Sequence, residues 1–463
     1  MKKKAPLRGD ELPEVTVPPP GPKSVAAARR LRKAEGAAIW GAPAGAGSGS
    51  GSGPIVWARA KGSVVEDLDG NRFLDLTSGF GAASLGHAAP EVARAVAAQA
   101  RRMAQGLGDL HPHAGREKLV RRLSALGGSL SKVLLASTGS EAVELALKTA
   151  ALFTGRRRVV AFEGGYHGMS GRALDVTHFP ASPAMVRAPG PPQAIHIPFP
   201  DASRSTHRYD LDEAWRRVAS ELSGPDPPGS IIVEPIQGRA GVIIPPASFL
   251  AALATRARAA GLVLIYDEIL TGGGRTGPFW AWERSGPSAE PDLIAAGKGI
   301  GGGVAIAALL GKPEIMDVWA KHVPASGEAP YASTFYAHPL ACAGTLAALE
   351  RLTAPGMRAQ VEEKGGRLAA GLRALAEARP NTGVVRSTGL LAAVEFVANE
   401  SSKRTAAARA SAVLRSLLGF GVLAIPGGVE GNVISLLPSF AITERQIDAA
   451  VASFERALAD PDA

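Results

Sequence analysis

Between about residues 110 and 335 the chain alternates short apolar runs with amphipathic stretches, and few folds accommodate that order. Residues 132–136, 158–162, 230–233, 262–266 and 305–310 read as strands, and 141–153, 210–222 and 247–260 read as helices between them. Short strands joined by helical crossovers pair in parallel and are covered on both faces. The region therefore predicts a large α/β domain, 110–338, around a mostly parallel sheet. After Pro339 the pattern changes to helices at 340–352 and 357–378, strands at 383–386, 390–396, 421–425 and 432–436, and a closing helix at 444–458. This predicts a smaller carboxyl-terminal α+β domain, 339–463. A segment at 55–109 precedes the large domain, with strands around the turn Asp69-Gly70-Asn71 and a helix at 90–103.

Residues 1–54 read as a flexible basic arm: proline-rich over 5–22, a short helix at 24–40, then a Gly/Ser linker over 41–53. The chain carries a net charge of +9, and residues 1–40 hold nine basic against four acidic side chains. The remainder is nearly balanced and carries no nucleic-acid-reading motif, so a solvated arm is predicted and no nucleic-acid partner. No apolar run approaches the ~20 residues of a membrane span, and the basic start lacks the apolar stretch of a secretory signal. The single cysteine, Cys342, allows neither an intrachain disulfide nor a cysteine-based metal cage. A cytoplasmic protein is predicted, with no membrane association. His111 and His113 flank Pro112 without a third ligand, so no metal is expected.

Three motifs carry chemistry. Ser137-Thr138-Gly139-Ser140-Glu141 lies between a strand and a helix; Thr138 and Glu141 have capping-box spacing, Gly139 permits a tight turn, and free N–H groups there can hold a phosphate. Asp267-Glu268 follows an apolar strand, at the sheet edge where open α/β sheets bind ligands. Gly297-Lys298-Gly299 places one lysine among small neighbours, where a bulky ligand can lie against the amine. A buried lysine beside a positive centre has a lowered pKa and serves as nucleophile or base.

Taken together with Tyr166, these parts suit a pyridoxal phosphate enzyme. Thr138-Gly-Ser-Glu-Ala142, Tyr166-His-Gly168, Glu234-Pro-Ile-Gln-Gly238, Asp267-Glu268, Gly274-Arg-Thr-Gly277, Gly297-Lys-Gly299 and Ser333-Thr-Phe335 occur in that order. Over about 55–460 the chain resembles the class III (omega) aminotransferases. The resemblance implies a fold-type I pyridoxal phosphate-dependent transferase, working as a homodimer with the active site at the interface. It implies that Lys298 forms a Schiff base with pyridoxal 5'-phosphate and shuttles a proton between the substrate carbon and the cofactor's C4′. Asp267 then pairs with the pyridine nitrogen, Gly139 and Ser140 hold the phosphate, and Tyr166 stacks on the ring. Thr334 reaches the phosphate of the neighbouring subunit, and Ser333 approaches substrate. The partners implied are an amine or amino-acid donor and a 2-oxo acid acceptor.

The departures from the family pattern are informative. Leu270 stands where many relatives carry a glutamine that contacts the ring's 3′ oxygen, so either Gln237 or water takes that contact, or the oxygen is less well held. Met169 replaces the arginine of the acetylornithine branch. Ser435-Leu-Leu-Pro438 lacks the arginine of glutamate-using relatives, and Arg239 replaces the glutamate that pairs with it. Either Arg239 grips a substrate carboxylate, or it points into solvent and the enzyme prefers amines without an α-carboxylate. Arg386 is a second candidate anion reader. Transamination is the activity expected. An amino-acid racemase or epimerase on the same scaffold is the alternative, since the same lysine and aspartate serve both. A cofactor-binding regulator would need a DNA-binding domain, and residues 1–53 offer no helix-turn-helix.

Overall fold

A computed structural model of the chain describes residues 6–36, 53–179, 193–203, 211–379, 382–398 and 406–460. All but the last residue of the linker expected at 41–53, and the end of the expected helix at 37–40, lie outside these residues. Chain contacts divide the molecule into two compact units, Pro90–Arg358 and Met1–Ala89 with Ala359–Ala463. The sequence reading places its boundaries near 55, 110 and 338; the contacts place them at 89–90 and 358–359.

The unit that contains both termini opens with the helix Pro22–Ala34 and then the strands β1 (Trp57–Lys61), β2 (Val64–Asp67) and β3 (Arg72–Asp75). These pair antiparallel, β1 with β2 and β2 with β3. The β2–β3 turn closes where expected: the amides of Gly70 and Asn71 donate to Asp67 Oδ1 at 2.7 and 2.9 Å, an Asx arrangement suited to Asp and Asn. Asn71 then serves the amino-terminal segment. Its Oδ1 accepts from Thr16 N and Val17 N, each at 2.9 Å, and its Nδ2 donates to Val17 O at 2.9 Å. The proline-rich stretch is thus held at the start of β3 by borrowed side-chain partners, with one backbone bridge, Glu14 to Arg72. Replacing Asn71 by alanine strips two amides and a carbonyl of partners. It is expected to destabilise this unit by about 2 kcal/mol, read as a lowered thermal midpoint by circular dichroism; an unchanged midpoint would mean that the segment contributes nothing.

The other unit is built on a seven-stranded sheet: β4 (Lys132–Ala136), β5 (Val159–Phe162), β6 (Ala194–Ile197), β7 (Ser230–Val233), β8 (Val263–Glu268), β9 (Leu293–Ala296) and β10 (Ala307–Gly311). Its order is β4-β10-β9-β8-β7-β5-β6. The pairs β5–β6, β5–β7, β7–β8 and β8–β9 are parallel, while β10 runs antiparallel to both β9 and β4. The reason is length: a parallel return needs a crossover of a dozen or more residues, and the Lys298 loop between β9 and β10 is shorter. Successive strand residues face opposite sides. Ile232, Ile265, Ala295 and Leu309 pack with Val143, Ala146 and Leu147 of the helix Gly139–Thr154. Ile231, Leu264, Ile294 and Leu310 pack with Leu253 and Ala257 of the helix Phe249–Ala259. The structure is thus α/β with a mostly parallel sheet, as expected. It adds two strands that the sequence reading left out, β6 and β9. It also carries β8 two residues further, so that Asp267 and Glu268 end the strand instead of following it. The helix Pro339–Leu352 packs on Pro90–Arg102 within this unit.

The carboxyl-terminal part contributes β11 (Val385–Thr388), β12 (Leu391–Glu395), β13 (Val422–Leu423), β14 (Ile425–Gly427) and β15 (Val433–Leu436). Four form a separate antiparallel sheet, β11-β12-β15-β14, and β13 joins β3 in parallel. The last helix, Glu444–Ala459, starts with a capping box in which Thr443 and Gln446 satisfy one another's amides. Among the described residues no helix is long and apolar enough to cross a membrane.

Candidate active site

Five strand ends and their loops in the larger unit bring the site together. At the end of β4, Thr138 caps the helix Gly139–Thr154 by accepting from Glu141 N at 3.2 Å, and Glu141 Oε2 reaches back to Ser137 N at 2.8 Å. Glu141 Oε1 accepts from Tyr331 OH, which ties the Tyr331 loop to this helix start. Ser140 faces the Tyr166-His-Gly turn after β5: Met169 N lies 3.4 Å from Ser140 Oγ. Gly168 is required there. It has φ +135°, and a Cβ would lie 2.3 Å from Ser140 Oγ, so any side chain would fill the space in front of the helix N-terminus.

At the end of β8, Asp267 is 4% exposed. Its Oδ2 lies 2.8 Å from His167 Nδ1, and its Oδ1 accepts from Ile269 N at 3.0 Å. Thr177 Oγ1 accepts from the His167 backbone amide, fixing the turn from which the imidazole reaches Asp267. His167 Nε2 is buried and has no hydrogen-bond partner among the described residues. Buried polar atoms in native structures are nearly always paired, so this nitrogen marks a place that a polar group fills.

After β7, Glu234 is buried and holds two amides, Tyr166 N on Oε1 at 2.9 Å and Gly238 N on Oε2 at 3.0 Å. Burial pushes its pKa up to about 7; neighbouring Asp267 adds to the rise, and His167 and the two amides moderate it. Glu234 is therefore able to hold a proton inside the site near neutral pH. Gln237 donates from Nε2 to Glu163 O at 2.8 Å. Leu270 packs directly on Gly238, where a Cβ would come within 2.0 Å of Leu270 Cδ2. The leucine therefore fills space against backbone and offers the site no polar atom.

Lys298 follows β9 at the start of the short helical turn Lys298–Gly301, with φ +42°. This left-handed value is uncommon for a residue with a side chain and typical of strained functional positions. Burial lowers the pKa of its amine; Asp267 and Glu234 resist that shift, while Arg239 and Arg275 add to it. The amine is thus more readily neutral, and so more nucleophilic, than a surface lysine. The half-buried Tyr166 ring meets Phe179 edge-on, with centroids 6.4 Å apart, and the Arg239 guanidinium lies over both rings.

The structure thus gathers Lys298, Asp267, Tyr166, Gln237 and Arg239 around His167 and Glu234, with Ser140 at the Gly168 turn. Ser333 and Thr334 lie elsewhere, exposed on an open groove of about 670 Å³ lined by 106–110 and 328–334. Arg386 belongs to the other unit; it is 4% exposed and pairs through Nη1 with Glu395 Oε2 at 2.6 Å. His113, instead of sharing a metal with His111, caps the helix Ala114–Gly127 and contacts Ala337 O at 2.7 Å. Two residues central to the cluster had no assigned role in the sequence reading. Glu234 and His167 were each named only as part of a matched motif, and the signal was their nearness in sequence to Gln237 and Tyr166.

The cluster fits pyridoxal phosphate. The Gly168 turn leaves room before the helix at Gly139 for a phosphate, and Lys298 supplies an amine of lowered pKa for the aldehyde. Asp267, held by His167 Nδ1, supplies a carboxylate deep in the site.

Comparison with known proteins agrees. The family described as Aminotransferase class-III matches residues 47–458. An alanine/serine racemase from Pyrococcus horikoshii is 31% identical, covering 97% of this chain and 93% of its own length. A 4-aminobutyrate aminotransferase from Mycobacterium tuberculosis is 32% identical, covering 84% of this chain and 87% of its own. Among solved structures, a PLP-bound amine transaminase from an uncultivated Pseudomonas species superposes with a TM-score of 0.79 at 28% identity, covering 88% of this chain and 95% of that one. With these motifs, this sheet and a match across most of its length, the chain belongs to the class III aminotransferases, a pyridoxal phosphate-dependent family.

Proposed function

We propose that the protein transfers an amino group from an amine or amino-acid donor to a 2-oxo acid, with pyridoxal phosphate attached to Lys298. The observation that carries this reading is the buried convergence of an amine of lowered pKa, Lys298, with the Asp267–His167 pair and Glu234. Gly139 and Ser140 would hold the phosphate, Tyr166 the ring face, and Asp267 the ring nitrogen, with Gln237 beside the ring. Bound pyridoxal phosphate supplies an electron sink for the charge left when a proton leaves the donor carbon. The chain's own residues do the remaining work. Lys298 Nζ, readily neutral, takes up that proton and returns it. His167 holds Asp267 Oδ2 in place, and Glu234 holds the Tyr166 turn against the loop after β7 while keeping a proton within the site.

The same reading includes a homodimer whose second copy covers the groove carrying Ser333 and Thr334. Leu107 and Leu110, which line that groove, and Phe335 next to it are 60%, 70% and 60% exposed, apolar side chains that a second copy would cover. Thr334 then serves the neighbouring site. A cytoplasmic setting suits the lone Cys342, buried with its thiol pushed up to about 12 by desolvation.

The 31% identity to a racemase over nearly the whole chain keeps one second reading in view, reprotonation at the same carbon without transfer. Both are tested by supplying the reconstituted protein with a panel of ω-amino acids, diamines and single-enantiomer α-amino acids, with pyruvate or 2-oxoglutarate. A new oxo acid matched by an aminated acceptor is the expected result. Inverted configuration with no oxo acid would replace transfer by racemisation.

A further inference from the structure

Arg239 sits on a loop that holds it in place. Gln237 and Ile243 exchange backbone bonds of 3.1 and 2.9 Å, and the amides of Gly241 and Val242 both donate to Gly238 O. Val242 adopts φ +55°, and Leu270 occupies the space beside Gly238. On this backbone the guanidinium carbon of Arg239 lies 5.7 Å from the Tyr166 ring centroid and 5.1 Å from that of Phe179. Among the described residues its buried Nε has no hydrogen-bond partner and no carboxylate forms an ion pair with it.

Several other buried or partly buried arginines have a carboxylate partner. Arg158 has Glu221, Arg59 has Glu66, and the buried Arg386 has Glu395. Arginine does not shed its charge at working pH, and this partly buried guanidinium, with Nε unpartnered, has N–H groups left to bind an acceptor. The aromatic faces attract the cation but accept none of its N–H bonds in the plane. An anion supplied from outside would complete the site beside the Tyr166 and Phe179 rings, and the charge of Arg239 is also felt at Lys298.

We infer that Arg239 reads the carboxylate of both the amino-acid donor and the 2-oxo acid acceptor, so that this enzyme prefers carboxylate-bearing substrates over simple amines. The inference rests on the aminotransferase reading above and adds its substrate class. The planar fork of arginine matches a carboxylate through two parallel bonds, which a lysine cannot reproduce.

The test uses the holoenzyme and donor pairs that differ only in the carboxylate: L-alanine with ethylamine, and 4-aminobutyrate with butylamine. The change in cofactor absorbance gives kcat/KM for each. Wild type is expected to favour the carboxylate member of at least one pair, and Arg239→Ala to reduce that preference about 100-fold through KM. Arg239→Lys is expected to lie between, about 10-fold below wild type. A merely structural role would lower both members of a pair alike, which would overturn the inference, as would an unaltered preference in Arg239→Ala. A binding measurement stands apart from turnover: butyrate is expected to raise the thermal midpoint of wild type and not of Arg239→Ala, with butanol inactive on both. Equal protection of both proteins would likewise overturn it. If wild type responds to no donor at all, the aminotransferase reading fails, and the butyrate comparison still decides whether Arg239 is an anion site.

Discussion

Lys298→Ala is expected to lower amino transfer by at least ~10⁴-fold, because one substitution removes both the covalent anchor and the proton carrier. Borohydride treatment should then fix no cofactor to the chain, whereas wild type retains it. Residual turnover within tenfold of wild type would show that another group moves the proton, and Glu234 is the neighbour placed to do so. The same variant carries a stability signature in protein stripped of cofactor. Burial holds the amine below its ordinary value of 10.5, so the unfolded chain binds this proton more tightly than the folded one. Between the folded value and 10.5 wild type therefore gains stability as pH rises, and below that window it bears the full penalty. Lys298→Ala should be the more stable protein at neutral pH, and that advantage should vanish above pH 10.5.

The second large effect is expected from Asp267→Asn, about 10³-fold in kcat with little loss of folded protein. Asparagine fills the same volume at the end of β8 and can still accept from Ile269 N, but it brings no charge to set against the ring nitrogen. It also presents an amide to His167 Nδ1, where the carboxylate oxygen stands at 2.8 Å. Steady-state rates with one fixed donor, alongside circular dichroism to confirm the fold, separate the electrostatic loss from unfolding. A kcat within tenfold of wild type would mean that the carboxylate at 267 serves the turn after β8 and not the chemistry.

How much of this was legible in the sequence differs between fold and site. Strands β4 and β7 were found with their observed bounds, because each is a short apolar run closed by turn residues. Strand β6 is four residues, Ala194–Ile197, and partly exposed, too short to show a period. Strand β9, Leu293–Ala296, is an equally short apolar stretch that runs directly into the Gly297-Lys298-Gly299 motif. The site's chemistry was legible where it is local: Lys298 among glycines, Asp267 at a strand end, Thr138 capping a helix. Contacts between distant residues were not. His167 and Asp267 are 100 positions apart, and nothing in either neighbourhood announces the pairing. Arg386 shows the converse. In the β11–β12 hairpin it pairs with Ala393, which puts Glu395 two positions further along on the same face, within diagonal reach. The hairpin thus explains why its guanidinium is engaged within the chain.

The antiparallel return of β10 has a consequence for the reacting amine. Because β9 and β10 are hydrogen-bonded to each other, with Ala296 opposite Ala308, the loop that bears Lys298 is the closed end of a hairpin in the interior of the sheet. Loops over a sheet's edge open at small expense, whereas freeing this one means parting central strands, among the last elements of a domain to yield. The nucleophile is therefore a fixed post, and any adjustment on substrate entry falls to the surrounding walls.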